Sequence, residues 1–251
     1  MRPYALLLAR TLALLAIPVA SLTVLSPAAP TAARTLAGPM VTLSQANWMA
    51  PRVRASWDHY DVDVAYDVRL TRADSRAARR PAWRRPAALQ GITQHGLWLA
   101  VHSGATVCVS VRTHLDTGET TPWSERNCRA RAFDHTRLRT QGPVRRVTDT
   151  RMWGDHALVA RGGRVFLPRV RTGATVGFIV TQPNAYSGFT LTVCRAVHAG
   201  DIAYAGDGLI RNEAGGLPGT QTRRCRVTYT RHAYTPRSFP LQGIWIFPGW
   251  A

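Results

Sequence analysis

Four aspartates crowd the stretch "WDHYDVDVAYD": Asp58, Asp61, Asp63 and Asp67. Clustered carboxylates are the ligand set of a calcium site. The glycine and terminal glutamate of an EF-hand loop are missing here, and aspartates also serve polar turns between strands. The eight histidines are scattered, with no His-x-x-x-His or HExxH spacing, so no zinc signature and no metal site is expected. Among nucleophiles, Ser187 in "NAYSGF" and Cys194 in "TVCRA" both lie outside a G-x-S-x-G elbow. Asp155 and His156 are adjacent, and on a strand neighbours point to opposite faces, which breaks a dyad. Glu213 stands alone in a glycine-rich stretch. A glycosidase needs two placed carboxylates, so its partner would have to be Asp201 or Asp207.

The remaining chemistry is recognition. "RRCRVTYTRHAY" and "IWIFPGW" supply Arg223, Arg226, Arg231, Tyr229, Tyr234 and Trp245. Arginines beside aromatic platforms suit a cell-wall polysaccharide or an anionic polymer. The bland alternative places alternate aromatics in the core. The chain of 251 residues has 32 basic and 14 acidic residues, a formal charge of +18, and every base is arginine. Such a charge raises affinity for polyanions in general. It is uneven: residues 35–134 carry 13 arginines against 9 acids, and residues 135–251 carry 16 against 5. The second half is therefore the expected binding region.

Residues 1–33 have the layout of a signal peptide. Arg2 and Arg10 precede the apolar run "TLALLAIPVASLTVL", and "SPAAPTAA" offers small residues for cleavage. The apolar run spans 15 residues, short of the roughly 20 that cross a bilayer. An uncleaved anchor is the alternative. The expectation is a secreted or envelope-associated chain without a transmembrane span after cleavage, which makes nucleic acid an unexpected partner. Export permits disulfides. Cys108, Cys128, Cys194 and Cys225 allow three pairings, and the residues alone leave all three open.

Short strands must position whatever site exists. "RVRASW" puts Val53, Ala55 and Trp57 on one face, and "AYDVRLTRA" aligns Tyr66, Val68 and Leu70. "VTLSQA", "GLWLAV" and "TVCVSVRTHL" continue the period of two, and "WSERNCRARAF" closes the series. "RADSRAARRPAWRRP" is a basic, proline-bearing connection that Trp83 pins to the scaffold. "HTRLRTQGPVRRVTDT" (135–150) reads as a linker or an irregular lead-in strand. Strands then return in "HALVA", "RVFLPRV", "ATVGFIVTQ", "GFTLTVCRAV", "RRCRVTYTRHAY" and "QGIWIFPGW". Close spacing and turn signals predict an all-β protein of two β-sandwich domains, over 40–134 and 151–251.

The first of these resembles a fibronectin type III domain. The residues that carry the likeness are Trp57, Tyr66 with Val68, the strand from Gly104 through Arg112, Gly118 in a hairpin, and Trp123-Ser124. They cover residues 40–135. Cys108 stands where that family has a buried tyrosine, and the departure implies a disulfide instead. On adjacent strands Cys108 and Cys128 can face each other. The bond would close a loop of about 21 residues, contributing roughly 3 kcal/mol in a chain-entropy treatment. Cys194 would then pair with Cys225, an interdomain exchange being the alternative. "RGGRVFLPRVRTGATVGFIVTQ" makes the second half similar to β-rich regions of secreted bacterial proteins that carry fibronectin type III domains. The expected function is a non-catalytic binding or adhesion module without a cofactor. A secreted hydrolase using Asp201, Asp207 and Glu213, and a structural spacer, are the rivals.

Overall fold

Alternating apolar residues become paired strands in both halves of the chain. The computed structural model describes residues 37–58, 63–77, 79–150, 152, 154–171, 174–181, 188–194, 196–200, 210–214, 224–236 and 238–251. The signal-like segment 1–33, Asp61, Ser187, Arg195, Asp201, Asp207 and Arg223 lie outside the described residues. The protein is all-β. In the first half the strands are β1 (Val41–Ser44), β2 (Arg52–Trp57), β3 (Asp63–Asp74), β4 (Gly96–Ala100), β5 (Ala105–Leu115) and β6 (Asn127–Ala130), with a 3₁₀ turn at Ala87–Leu89. They form two three-stranded antiparallel sheets, ordered β1-β2-β4 and β3-β5-β6.

The inward residues of both sheets meet in one core. Val53, Ala55, Trp57, Tyr66, Val68 and Leu70 are buried there with Val107, Val109 and Val111. These are the faces that the period of two selects. Cys108 and Cys128 are directly opposed on β5 and β6 and form a disulfide. The bond lies on the outer side of its sheet, because Cys108 alternates with the inward valines.

The second half uses β7 (Phe133–Asp134), β8 (Arg139–Gln141), β9 (Val144–Thr148), β10 (His156–Ala160), β11 (Arg164–Arg171), β12 (Thr175–Val180), β13 (Phe189–Val193), β14 (Ala196–Gly200), β15 (Ile210–Ala214), β16 (Arg224–Arg231) and β17 (Leu241–Phe247). One sheet runs β15-β12-β17-β10-β9, with β7 also on β17, and the other runs β14-β13-β16-β11-β8. Their shared core holds Val165, Leu167, Val176, Phe178, Leu191, Tyr229, Ile244 and Ile246. The disulfide Cys194–Cys225 joins the end of β13 to β16.

Residues 135–150, the expected linker or lead-in strand, instead supply two strands. β8 and β9 flank Gly142 at φ 73° and go to different sheets. Their residues are largely exposed arginines and polar groups, so no alternation announced them. Edge strands need only one good neighbour and can carry charge on both faces.

Between the two cores sits a third cluster: Met49, Ala132, Ile179 and Trp245, with Trp48 and Phe247 packed against it. The Ala132 amide donates to the Trp48 carbonyl (2.7 Å), and the Gly104 amide donates to the Ala132 carbonyl (3.0 Å). Trp250 Nε1 donates to the Ala77 carbonyl at 3.1 Å. Arg76, held by Asp74 at 2.6 and 2.9 Å, lies over the Phe133 ring. Residues 36–251 accordingly form one compact unit.

Candidate binding surface

The outward residues of β3 and β5 are polar in an ordered way. Cross-strand register pairs Asp67 with Arg112 and Arg69 with Ser110. Asp67 Oδ2 accepts from Arg112 Nε (2.9 Å) and Nη2 (2.7 Å), and His114 Nε2 lies 3.0 Å from the same oxygen. Asp67 Oδ1 accepts the Gly91 amide at 2.9 Å. Burial alone would raise the Asp67 pKa. The Arg112 guanidinium, the Gly91 amide and the His114 ring outweigh it and hold the carboxyl below its ordinary value.

Two segments bring tryptophans onto this face. After the hairpin at Gly118, the chain returns along β5 as "TPWS". Pro122 has no amide to donate, and along this stretch two side-chain hydroxyls take the place of carbonyls as acceptors for β5. The Thr121 hydroxyl accepts the Thr113 amide (2.9 Å) and the Ser124 hydroxyl accepts the Val111 amide (3.0 Å). The Thr121 and Ser124 amides donate back to the Thr113 and Val111 carbonyls. Held at both ends, the segment lays the Trp123 indole across β5 and β3. On the other side, Arg84 pairs through its backbone with Leu70, at 2.8 and 2.9 Å, and Ile92 pairs with Tyr66. That anchoring fixes Trp83 beside β3, as the basic, proline-bearing connection led one to expect.

Arg69 lies between the two indoles. Its guanidinium carbon is 4.8 Å from the Trp83 ring centre and 4.4 Å from that of Trp123. Arg112 and Arg85 also cover Trp123, at 4.9 and 5.2 Å, and Arg80 covers Trp83 at 5.5 Å. Each contact contributes about 0.5–1 kcal/mol at an exposed site. Four guanidiniums thus share two rings, with Asp67 as the carboxylate hydrogen-bonded to one of them. Desolvation and the charges of Arg85, Arg80 and Arg112 lower the Arg69 pKa. Arginine stays ionised through such shifts, so the strip keeps an excess of positive charge. Its guanidiniums match carboxylate, sulfate or phosphate oxygens.

Among the described residues, those singled out in the second half do not converge, Arg223 lying outside them. Tyr229 is fully buried, its hydroxyl donating to the Phe239 carbonyl at 2.9 Å. Burial raises its pKa far above the phenol range. Trp245 is 2 % exposed and stacks on Trp48. Tyr229 faces the core of its own sandwich, whereas Trp245 alternates with the core residues Ile244 and Ile246 and is buried in the seam against Trp48, so neither is a platform. Arg226 is exposed and lies over Phe166 at 4.5 Å. Arg231 falls on the other face of β16, five residues on. It donates to the Thr235 carbonyl at 2.6 Å and ties down the following turn. Tyr234 is 92 % exposed beside His232.

The catalytic and metal candidates among the described residues do not gather either, Asp61, Ser187, Asp201 and Asp207 lying outside them. Among the described residues no three His, Cys, Asp or Glu groups gather as a metal site. Asp67 of the aspartate cluster is committed to Arg112 and His114. Cys194 is a disulfide partner, not a nucleophile. Asp155 sits in a left-handed turn at φ 57°, and His156 stacks on His135 with ring centres 5.0 Å apart. Glu213 lies on β15, opposite Gly177 of β12.

No protein-family model matches the chain, and no curated protein matches its sequence. Among solved structures it is similar to a carbohydrate-binding module of the β-sandwich superfamily, at 12 % identity and a TM-score of 0.38, over 85 % of this chain and 99 % of that one. It is similar to an exo-β-1,3-galactanase from Phanerochaete chrysosporium at 13 % identity and a TM-score of 0.37, over 85 % of this chain and 57 % of that one. An α-L-rhamnosidase from Dictyoglumus thermophilum follows at 8 % identity and a TM-score of 0.40, over 84 % of this chain and 27 % of that one.

The arginine–tryptophan strip escaped the sequence reading because its parts come from four places. Arg69, the Arg80–Arg85 stretch, Arg112 and Trp123 meet only through the register of β3 with β5. Trp83 within "RRPAWRRP" was the available signal, together with the equal outward parity of Arg69 and Asp67 on β3 and of Ser110 and Arg112 on β5.

Proposed function

We propose that this protein is an exported, non-catalytic binding module that holds an acidic polymer of the cell envelope on the outer face of β3 and β5. One observation carries the reading: Arg69 is clamped between Trp83 and Trp123, while Arg80, Arg85 and Arg112 crowd the same rings. Rigid indoles hold the guanidiniums at fixed positions, which lowers the ordering entropy lost on binding. A polyanion relieves the repulsion among them. Two disulfides support an oxidising compartment, and among the described residues no helix is long and apolar enough to cross a membrane. The first sandwich is of the fibronectin type III kind, a reading supported by the strand orders β1-β2-β4 and β3-β5-β6. The expected charge-rich second half is thereby replaced as the binding region by a strip in the first.

The test is retention of residues 36–251 on isolated cell-wall material along a salt gradient. Charge-driven binding weakens as the Debye length falls from roughly 8 Å at physiological ionic strength to about 3 Å at 1 M. Arg80→Ala/Arg85→Ala removes two exposed charges and leaves the core untouched, so it should elute at clearly lower salt. Retention that ignores both salt and this double substitution would sink the reading.

A further inference from the structure

A second feature lies around the edge of β3 from the strip. The open side of the first sandwich, between β3 and β4, forms a cleft of about 420 Å³ lined by Leu70, Arg72, Arg84, Pro86, Leu89, Leu97, Trp98 and Leu99. Small-molecule sites start at about 300 Å³. Leucines form an apolar floor. Trp98 is a lip, 58 % exposed, because it alternates outward from Leu97 and Leu99 on β4. Arg54, its register partner on β2, lies 5.8 Å from its ring centre. Arg72 and Arg84 are exposed and line the same cleft. None of the lining residues is acidic.

The cleft and the strip share one segment. Backbone pairing of Arg84 with Leu70 puts 83–85 in an extended course along β3. Trp83 and Arg85 therefore turn to the indole strip, and Arg84 turns to the cleft.

We infer that this cleft is a subsite for an anionic pyranose, a sugar ring bearing a carboxylate or a sulfate, whose apolar face stacks on Trp98 while Arg72 and Arg84 take its charge. The inference rests on the proposed envelope-polymer reading and narrows its ligand from any polyanion to an acidic glycan. An exposed indole over a leucine floor suits the C–H face of a pyranose, an arrangement that a flexible acidic peptide does not exploit. Two guanidiniums without a carboxylate in the lining call for an anion. A glycan long enough to turn the Arg84 edge reaches the strip as well, so binding at the two places is linked through one ligand.

Calorimetric titration of residues 36–251 tests this with polygalacturonate as the uronate, dextran sulfate as the sulfate ester, dextran as the neutral glycan and polyglutamate as the non-sugar polyanion. The expected result is binding of one or both acidic glycans. Trp98→Ala and Arg72→Ala/Arg84→Ala should each weaken it about tenfold, and Trp98→Phe should restore most of it. Polyglutamate should be insensitive to Trp98→Ala, and dextran should not bind. Arg80→Ala/Arg85→Ala reads the strip separately. If that variant weakens all polyanions while the Trp98 and Arg72/Arg84 variants match the unaltered chain, the subsite is overturned and the strip reading stands. If only the cleft variants lose binding, the strip reading falls and the subsite stands. Polyglutamate bound as tightly as the glycans, with the same response to Trp98→Ala, overturns the sugar assignment. Thermal unfolding of each variant, expected to shift by no more than a few degrees because the substituted side chains are exposed, separates lost contacts from lost folding.

Discussion

The indole of Trp48, from the first half of the chain, stacks on that of Trp245 on β17, with ring centres 4.4 Å apart and planes inclined by 21°. Opposite Trp245 in the sheet is Gly177, where a Cβ would fall 2.2 Å from the indole. The glycine is there because the ring lies across its backbone. The two cores thus meet through a layered contact of Trp48, Trp245 and Gly177.

Unfolding should therefore be one cooperative event for residues 36–251. Trp48→Ala removes the stack and much of the seam, which should cost about 2 kcal/mol, since Trp48 is only half-buried. Gly177→Ala should cost about 1–3 kcal/mol by overpacking. Differential scanning calorimetry is the measurement. In a chain of this size roughly 2–4 °C of Tm is lost per kcal/mol. Two transitions, with only one moved by Trp48→Ala, would show that the halves unfold independently.

Asp67 makes the first sandwich acid-sensitive. Its folded pKa is below the ordinary 3.8, so the folded state favours the ionised carboxylate. Its contribution is complete above the unfolded value and is lost as pH falls through the folded one. Asp74 and Asp134 are also held low, so the informative quantity is the difference between the unaltered chain and Asp67→Asn. That difference in Tm should be largest near pH 6 and should shrink below about pH 4. A gap of constant size down to pH 2.5 would remove Asp67 from the account.

The two disulfides should differ in accessibility. Cys108 is fully buried and Cys128 is 8 % exposed, whereas Cys194 and Cys225 are only partly buried. Mild reduction of the native protein, read by differential alkylation and peptide mass mapping, should label Cys194 and Cys225 first. Cys108→Ala/Cys128→Ala should cost roughly 3 kcal/mol in the chain-entropy treatment for a separation of 20 residues. Equal labelling of all four thiols under native conditions would contradict the burial argument.

Much of the fold was legible in one dimension. Val53, Ala55 and Trp57, like Tyr66, Val68 and Leu70, were expected inward and are buried. The Cys108–Cys128 and Cys194–Cys225 pairings were expected and are present. β8 and β9 were not legible as two strands, because charged edge positions carry no alternating pattern. Tyr229 and Trp245 misled for the opposite reason: an aromatic on a strand looks the same whatever covers its face, and here Tyr229 meets its own sandwich core while Trp245 meets the seam with the first half.

By itself the sequence determined the all-β class, the inward faces and the excess of arginine, since a strand's side chains alternate whatever surrounds them. Only the tertiary structure decided where that charge is concentrated. Arg69 and Arg112 share a face because β3 and β5 pair in one register. Trp123 joins them because the amides and hydroxyls of Thr121 and Ser124 fasten its segment to Thr113 and Val111 of β5. Trp83 joins because Arg84 bonds to Leu70. A register shift of one residue would send every one of these side chains to the other face, and that register is a property of the packed sandwich.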